Sequence, residues 1–358
     1  MLDNNITTEK KKLTVGLRTI ITILAIVIVI VGIVFVLRLV GKSQLSKAIA
    51  GESSVDVGES STALSENQIL YKGKVYQLNE DLISVLVMGI DTETVDAVGG
   101  QSWKADDTVN NGGQADTLFL IVINPHTKEI SFVAINRNTM ADVDVWDDEG
   151  NYTGVVTQQI SLQHGYGDGG VESCERQVKA VSRMLFNIPI NSYAAISMDG
   201  VPKLNDAIGG VDVTVLDDIV YPEYNMSLHT GENVTLKGKT AYWYVRLRNE
   251  NAFNSNQLRL DRQKQYLKAF INKAKEKSLS DIRIALDLYK TMGEYMVTDI
   301  DLSTFTYMAT EYLNYDFDLD NIYTLEGETI NGTQFEEFYM DEDVAEEMIV
   351  NLFYEEVK

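Results

Sequence analysis

The chain has 358 residues, 45% of them hydrophobic, and a formal net charge of -23. That balance argues against nucleic acid as a partner, because phosphate backbones reward the opposite sign. Cys174 is the only cysteine, so no intrachain disulfide can form and the fold must rest on its apolar core.

Residues 1–18 read as a charged tail that carries Lys10, Lys11, Lys12 and Arg18. Thr19–Leu37 is an apolar run between Arg18 and Arg38, about the ~20 residues needed to cross ~30 Å of hydrocarbon. The preceding basic residues favour a cytoplasmic N-terminus, with the rest of the chain outside a cell membrane that it spans once. Residues 41–70 read as an extracellular linker, because Gly41–Glu66 is rich in Ser, Gly, Glu and Ala and has no sustained period.

The turn-bearing stretch Tyr71–Tyr76 predicts a small hairpin. Ser84–Gly89 is a short apolar run, as expected of a strand buried on both faces. Thr92–Gly113 is rich in Gly, Asp and Asn and reads as a loop beside a site. Thr117–Ile123 and Ile130–Ile135 read as antiparallel strands joined through Asn124-Pro125. Helices are expected over Glu172–Phe186, Val201–Ile208, Lys239–Val245 and Leu258–Glu276, with strands at Tyr193–Ser197 and Asp212–Val215. Cys174, Val178, Val181 and Leu185 share one helix face, which makes Cys174 a core residue. Strands alternating with helices imply a layered α/β domain around a mixed central sheet. Helical patterns then dominate Asp281–Leu313 and return at Asp343–Phe353, so residues 278–358 read as a helical C-terminal extension.

Charge-bearing residues gather at element ends. Asp91 closes the first apolar strand and Asp116 opens the second. The turn between the second and third strands is centred between His126 and Thr127, so paired residues have numbers adding to about 253. Asp116 and Arg137 meet that condition and should face each other at one sheet edge. Asp91 joins them if its strand runs parallel to Ile130–Ile135. Arg246 and Arg248 point the same way only if the chain leaves its helix in an extended form. Arg259 and Arg262, three apart at a helix start, share a face. Guanidinium forks match phosphate oxygens in pairs, and carboxylates can hold a cation, so the set suggests a cage for a polyanion such as pyrophosphate. An ordinary cross-strand ion pair is the plainer account of Asp116 and Arg137. The three histidines are scattered and form no metal site; His164 is either a substrate contact or structural.

In order along the chain, these residues resemble the LytR-CpsA-Psr family of cell-wall polymer transferases. The matching stretches are Val85–Asp91, Ala115–Thr117, Ile123–Pro125, Ile135–Thr139, Gln163–Gly167, Met198–Gly200, Leu204–Val213, Ala241–Arg248 and Arg259–Gln263. The resemblance implies a three-layer α/β/α sandwich in residues 71–277 and an apolar tunnel for a polyprenyl tail. It implies a Mg2+ ion held by Asp91 and Asp116. It also implies a pyrophosphate site of Arg137, Arg246, Arg248 and Arg259, to which Gln114, Arg262 and Gln263 add. The implied activity is a phosphotransferase that moves a glycopolymer, such as teichoic acid or capsule, from a polyprenyl-pyrophosphate carrier onto peptidoglycan. Asp116, Arg137, Asn138, Arg246 and Arg248 would be its catalytic residues. Three positions depart from the pattern. Gln114 stands where many members carry Arg, Asn138 stands where Asp is usual, and Asn256 replaces a frequent acid. An amide cannot take a proton as a carboxylate does. The alternative is therefore a non-catalytic module, or a wall-associated regulator, that binds the same lipid-linked polymer.

Overall fold

Lys72 and Gly73 both adopt positive φ, 46° and 79°, and so close a two-residue turn between β1 (Gln68–Tyr71) and β2 (Lys74–Leu78). This is the expected hairpin. The structure is a computed structural model that describes residues 37–38, 40–45, 47, 64, 67–91, 112–147, 149–248, 255–317, 322–333 and 335–357. All but the last residue of the expected membrane span Thr19–Leu37, and all but the end of the expected loop Thr92–Gly113, lie outside the described residues. Among those described, no helix is long and apolar enough to cross a membrane.

Three strands form the centre of the sheet: β3 (Ile83–Ile90), β4 (Ala115–Asn124) and β5 (Glu129–Ile135). β3 and β4 are antiparallel, as are β4 and β5, so β3 runs parallel to β5. The β4–β5 register runs from Leu118 opposite Ile135 to Asn124 opposite Glu129, which is the register that the turn position implied. A second hairpin, β6 (Met140–Trp146) with β7 (Tyr152–Gln159), follows and stays out of this sheet. Next come helix α1 (Val171–Met184) and strand β8 (Ser192–Ser197), which pairs parallel with β3.

Helix α2 (Gly200–Ala207) stops at Gly209 and Gly210, whose φ angles of 85° and 89° suit glycine. Strand β9 (Val211–Thr214) follows, then β10 (Ile219–Tyr221), β11 (Met226–Leu228) and β12 (Asn233–Leu236). Helices α3 (Lys239–Arg246) and α4 (Ser255–Ser280) carry the second group of arginines.

Alternation along the strands separates two cores. Leu86, Met88, Ile90, Leu118, Leu120 and Val122 pack with Cys174, Ala180 and Val181 of α1. Ile83, Val85, Ile123, Ile130 and Phe132 face the other way, with Val87, Ile121, Leu267 and Ile271 packed against them. Each strand is therefore buried on both faces between helices, which is the layered arrangement expected of the continuous apolar runs.

The C-terminal region differs from the helical extension that its patterns predicted. Helices α5 (Arg283–Met292) and α6 (Leu302–Tyr312) enclose strand β13 (Met296–Thr298), which pairs antiparallel with β8 at the sheet edge. Short strands β14 (Asp316–Phe317) and β15 (Tyr323–Thr324) both add in parallel to β5. The hairpin β16 (Gly327–Asn331) and β17 (Glu336–Met340) leads to α7 (Glu342–Phe353), and β18 (Tyr354–Glu356) closes on β2. Ala345, Ile349, Val350 and Phe353 of α7 sit in the same core as α1. The described residues of 278–358 thus complete the sheet and core. Strands of two to five residues are too short for a period-2 pattern to be read in sequence.

The predicted linker is also partly built in. Residues 40–45 are helical, Leu45 is buried beside Tyr312, and Gln68 begins β1.

Candidate active site: an arginine cage at the mouth of an apolar cavity

The register of β3 and β4 shifts between Gly89 and Ile90, so Thr117 pairs Gly89, Ala115 pairs Ile90, and Asp116 is the extra residue of a bulge. A bulge re-aims the side chain it carries. Asp116 uses that freedom to pair with Arg137 through one carboxylate oxygen; the other lies 3.6 Å from a guanidinium nitrogen of Arg259. Both Asp116 and Arg137 keep only a small fraction of their side chains exposed, 14% and 13%. The backbone of Asp91 donates to the Gln114 carbonyl at 3.1 Å, and the Gln114 N–H donates to Asp91 Oδ1 at 2.7 Å. These two bonds close the ends of β3 and β4 together. The Gln114 side chain accepts from Arg137, which also donates to Ser161 Oγ at 3.2 Å.

Arg246 ends α3, and Leu247 is extended at φ -64° and ψ 137°. This is the exit that lets Arg246 and Arg248 face one site. Arg246 donates to the Tyr242 hydroxyl and acts electrostatically on Asp91. Arg248 donates to Ser255 Oγ at 3.3 Å and is close enough to Arg259 to disfavour its charge. Arg259 Nη2 donates to Asn256 Oδ1 at 3.0 Å, and Asn256 Nδ2 donates in turn to Glu336 at 2.9 Å. Burial first, then the neighbouring arginines, push the Arg259 guanidinium down to about 10, while Asp116 opposes the shift. Asp91 is displaced in the opposite sense for a carboxyl. Burial and then the Asp116 charge hold it above the usual range, against Gln114 N–H, Arg137 and Arg246. Arg259 and Asp91 are thus both held by burial and by like charges beside them against their charged forms.

Arg262 and Gln263, expected in the pyrophosphate site, lie behind it. Arg262 is 1% exposed and donates to the Tyr244 carbonyl at 2.6 Å and to the Leu247 carbonyl. Its Nε is 3.1 Å from Asp217, and Gln263 Nε2 donates to the Val245 carbonyl at 3.1 Å. Together they satisfy the carbonyls that the end of α3 leaves open. They therefore support Arg246 and Arg248, and Gln263 also lines an apolar cavity beside the cage. Asn138 is 3% exposed and built into its turn: its N–H donates to Asn136 Oδ1, and its carbonyl accepts from Phe338 N–H, both at 3.0 Å.

His164 is fully buried. Its Nδ1 donates to the Gly113 carbonyl at 3.1 Å, since a carbonyl can only accept. Burial lowers its pKa to about 4, so the ring is neutral and pins the chain just before Gln114. Cys174 lies beside it with its thiol pushed up by burial, in keeping with a core residue. Asn256, singled out in the sequence as a departure from the family pattern, is the partner of Arg259; Ser161 and Glu336 were missed, because nothing in the sequence marks a lone Ser or Glu as a partner of a distant residue.

The cage opens onto apolar space. A cavity lined by Gly89, Thr117, Phe119, Met198, Val245 and Gln263 shares Val87, Ile196, Leu204, Leu267 and Phe270 with a larger one. The larger cavity, about 390 Å3, runs under the sheet to Phe305, Met308, Ala309 and Tyr312 of α6. A Cβ on Gly89 would stand 3.0 Å from Thr117 Cβ, so glycine there keeps the junction open.

Four arginines and two aspartates thus gather beside apolar cavities whose lining includes Thr117 and Val245, the neighbours of Asp116 and Arg246. A model of the LytR_cpsA_psr family matches residues 43–352, and the chain belongs to that family. It is 30% identical over 268 residues to the "Polyisoprenyl-teichoic acid--peptidoglycan teichoic acid transferase TagU" of Oceanobacillus iheyensis, covering 74% of this chain and 71% of that one. The crystal structure of B. subtilis TagV is similar with a TM-score of 0.58 at 23% identity, over 76% of this chain and 95% of that one. A structure of TagT bound to LI-WTA matches 82% of this chain and 98% of that one, with a TM-score of 0.53 at 20% identity. The two structural likenesses bear on the fold, and there the mixed central sheet agrees with them.

Proposed function

We propose that this chain is a membrane-anchored phosphotransferase that moves a glycopolymer from a polyprenyl-pyrophosphate carrier onto peptidoglycan. The observation that carries this reading is the convergence of Arg137, Arg246, Arg248 and Arg259 with two aspartates at the mouth of a cavity whose lining is almost wholly apolar. A polyprenyl tail suits the cavity, and a diphosphate suits the cage. The name of the 30%-identical relative supports a teichoic acid as the polymer.

In this reading an acceptor hydroxyl attacks the phosphorus next to the sugar. A phosphodiester forms, the bond to the bridging oxygen breaks, and polyprenyl monophosphate leaves. Charge spreads over the phosphate oxygens during such a transfer, so catalysis is mostly positioning and neutralisation. Arg137 and Arg259 are held by Asp116, and Arg246 by Tyr242, so their donors are oriented before substrate arrives.

Mg2+ fits this site as a cation shared with the substrate. No group of three or more His, Cys, Asp or Glu that could hold a metal is found among the described residues. Mg2+ is commonly held by one or two carboxylates plus substrate phosphates, and Asp91 and Asp116 are that pair. The ion would neutralise charge on the diphosphate. Asn138 leaves no carboxyl in its turn, so removal of the acceptor proton falls to the aspartate pair or to solvent.

The test is incubation of the exported part, from about Gln68, with Mg2+, a polyprenyl-pyrophosphate-linked sugar and a peptidoglycan oligomer. Sugar attached to peptidoglycan, and lost with Arg137→Ala, is the expected result. Sugar released to water would indicate a pyrophosphatase, and binding without turnover would indicate a binding module; either would overturn the transferase reading.

A further inference from the structure

The segment directly after the apolar run is not a free tether. Residues 40–45 form a helix that lies against α6. Gly41 makes the approach possible: a Cβ there would meet the Ser303 carbonyl oxygen at 2.0 Å. Gln44 Oε1 accepts from the hydroxyls of Ser303 at 2.9 Å and Thr304 at 3.2 Å, Arg38 pairs with Glu311, and Leu45 is buried beside Tyr312. Helix α6 therefore has two occupied faces. Ser303, Thr304 and Glu311 meet this segment, whereas Phe305, Met308, Ala309 and Tyr312, at helical spacing, line the large cavity. The helix that lines the cavity is therefore the one against which the chain packs as it leaves the run.

We propose that residues 40–45, with Arg38, act as a strap that seats α6 on the lipid bilayer, so that the apolar cavity takes its ligand's tail directly from the membrane. The proposal rests on the membrane anchor in the reading above. It commits to a lipid surface as the partner because the chain leading into the strap is the 19-residue apolar run Thr19–Leu37. Val40 and Leu302, 44% and 38% exposed, flank the Gly41–Ser303 contact and give this side an apolar edge.

The test uses the full chain reconstituted in phosphatidylglycerol vesicles, with an environment-sensitive dye on Leu302→Cys. Buried Cys174 does not compete for the label. Brominated lipids should quench the dye, and adding Gly41→Leu, which cannot fit under Ser303, should abolish the quenching while the chain stays with the vesicles after alkaline washing. A chain that stays with the vesicles but shows no quenching, or equal quenching with Gly41→Leu, would overturn the strap and leave the anchor intact. Release by the alkaline wash would overturn the anchor and the strap together. An unquenched dye that is shielded only as protein concentration rises would show that a second copy covers this side, which also overturns the proposal.

Discussion

Arg259 and Arg262 lie three residues apart on one helix, and each pairs with an aspartate, yet they belong to different regions of the molecule. Around Asp116, Arg137 and Arg259 share one carboxylate. Around Asp217, Arg262 spends its fork on two backbone carbonyls and the carboxylate. The first arrangement shares one carboxylate between two arginines, whereas the second ties its arginine to the backbone at the end of α3. An arginine's role is therefore read from how many of its five donors the fold already uses, not from its sequence neighbours.

That contrast predicts separable defects. Arg262→Ala should have the largest effect and act on stability. It strips two carbonyls and leaves Asp217 as a partly buried charge, a loss of about 3–5 kcal/mol in chemical denaturation. Arg137→Ala should leave the denaturation midpoint near that of the unchanged chain and lower kcat about 10²–10³-fold, the scale of losing one preorganised donor to a developing charge. A reversal of these two phenotypes would break the distinction between pin and cage.

The third prediction sharpens the contrast through pH. His164 has a folded pKa of about 4, below its ordinary value of 6.5. The folded state therefore binds fewer protons than the unfolded one between these values. Its contribution is present above the unfolded pKa and is lost as pH falls toward the folded one, by on the order of 3 kcal/mol. Denaturation at pH 7 and pH 4 should show this loss in the unchanged chain and a smaller loss in His164→Gln. The smallest effect is expected at the far end of the cavity. Ala274→Trp should weaken binding of a long polyprenyl diphosphate about tenfold through lost apolar burial, and should spare a short-chain analogue.

Much of the cage was legible in the sequence because it sits on regular elements. A hairpin with a fixed turn sets its own register, so the facing of Asp116 and Arg137 followed from residue numbers alone. The convergence of Arg246 with Arg248 depended on one residue, Leu247, being extended. The role of Arg262 was not legible, because its carbonyl partners carry no side-chain signature. The sheet edge at Met296–Thr298 was hidden between two helical patterns, and β7, exposed along much of its length, shows no apolar alternation. The docking of residues 40–45 on α6 was obscured by a composition that resembles a linker.

The most direct test of the central claim is the affinity for a short polyprenyl diphosphate and for the matching prenol, measured with Mg2+ on the unchanged chain and on Arg137→Ala. The account predicts a strong preference for the diphosphate, with Arg137→Ala binding it about 10- to 100-fold more weakly and the prenol unchanged. Equal affinity for diphosphate and prenol in the unchanged chain, or a preference that Arg137→Ala does not alter, would contradict it.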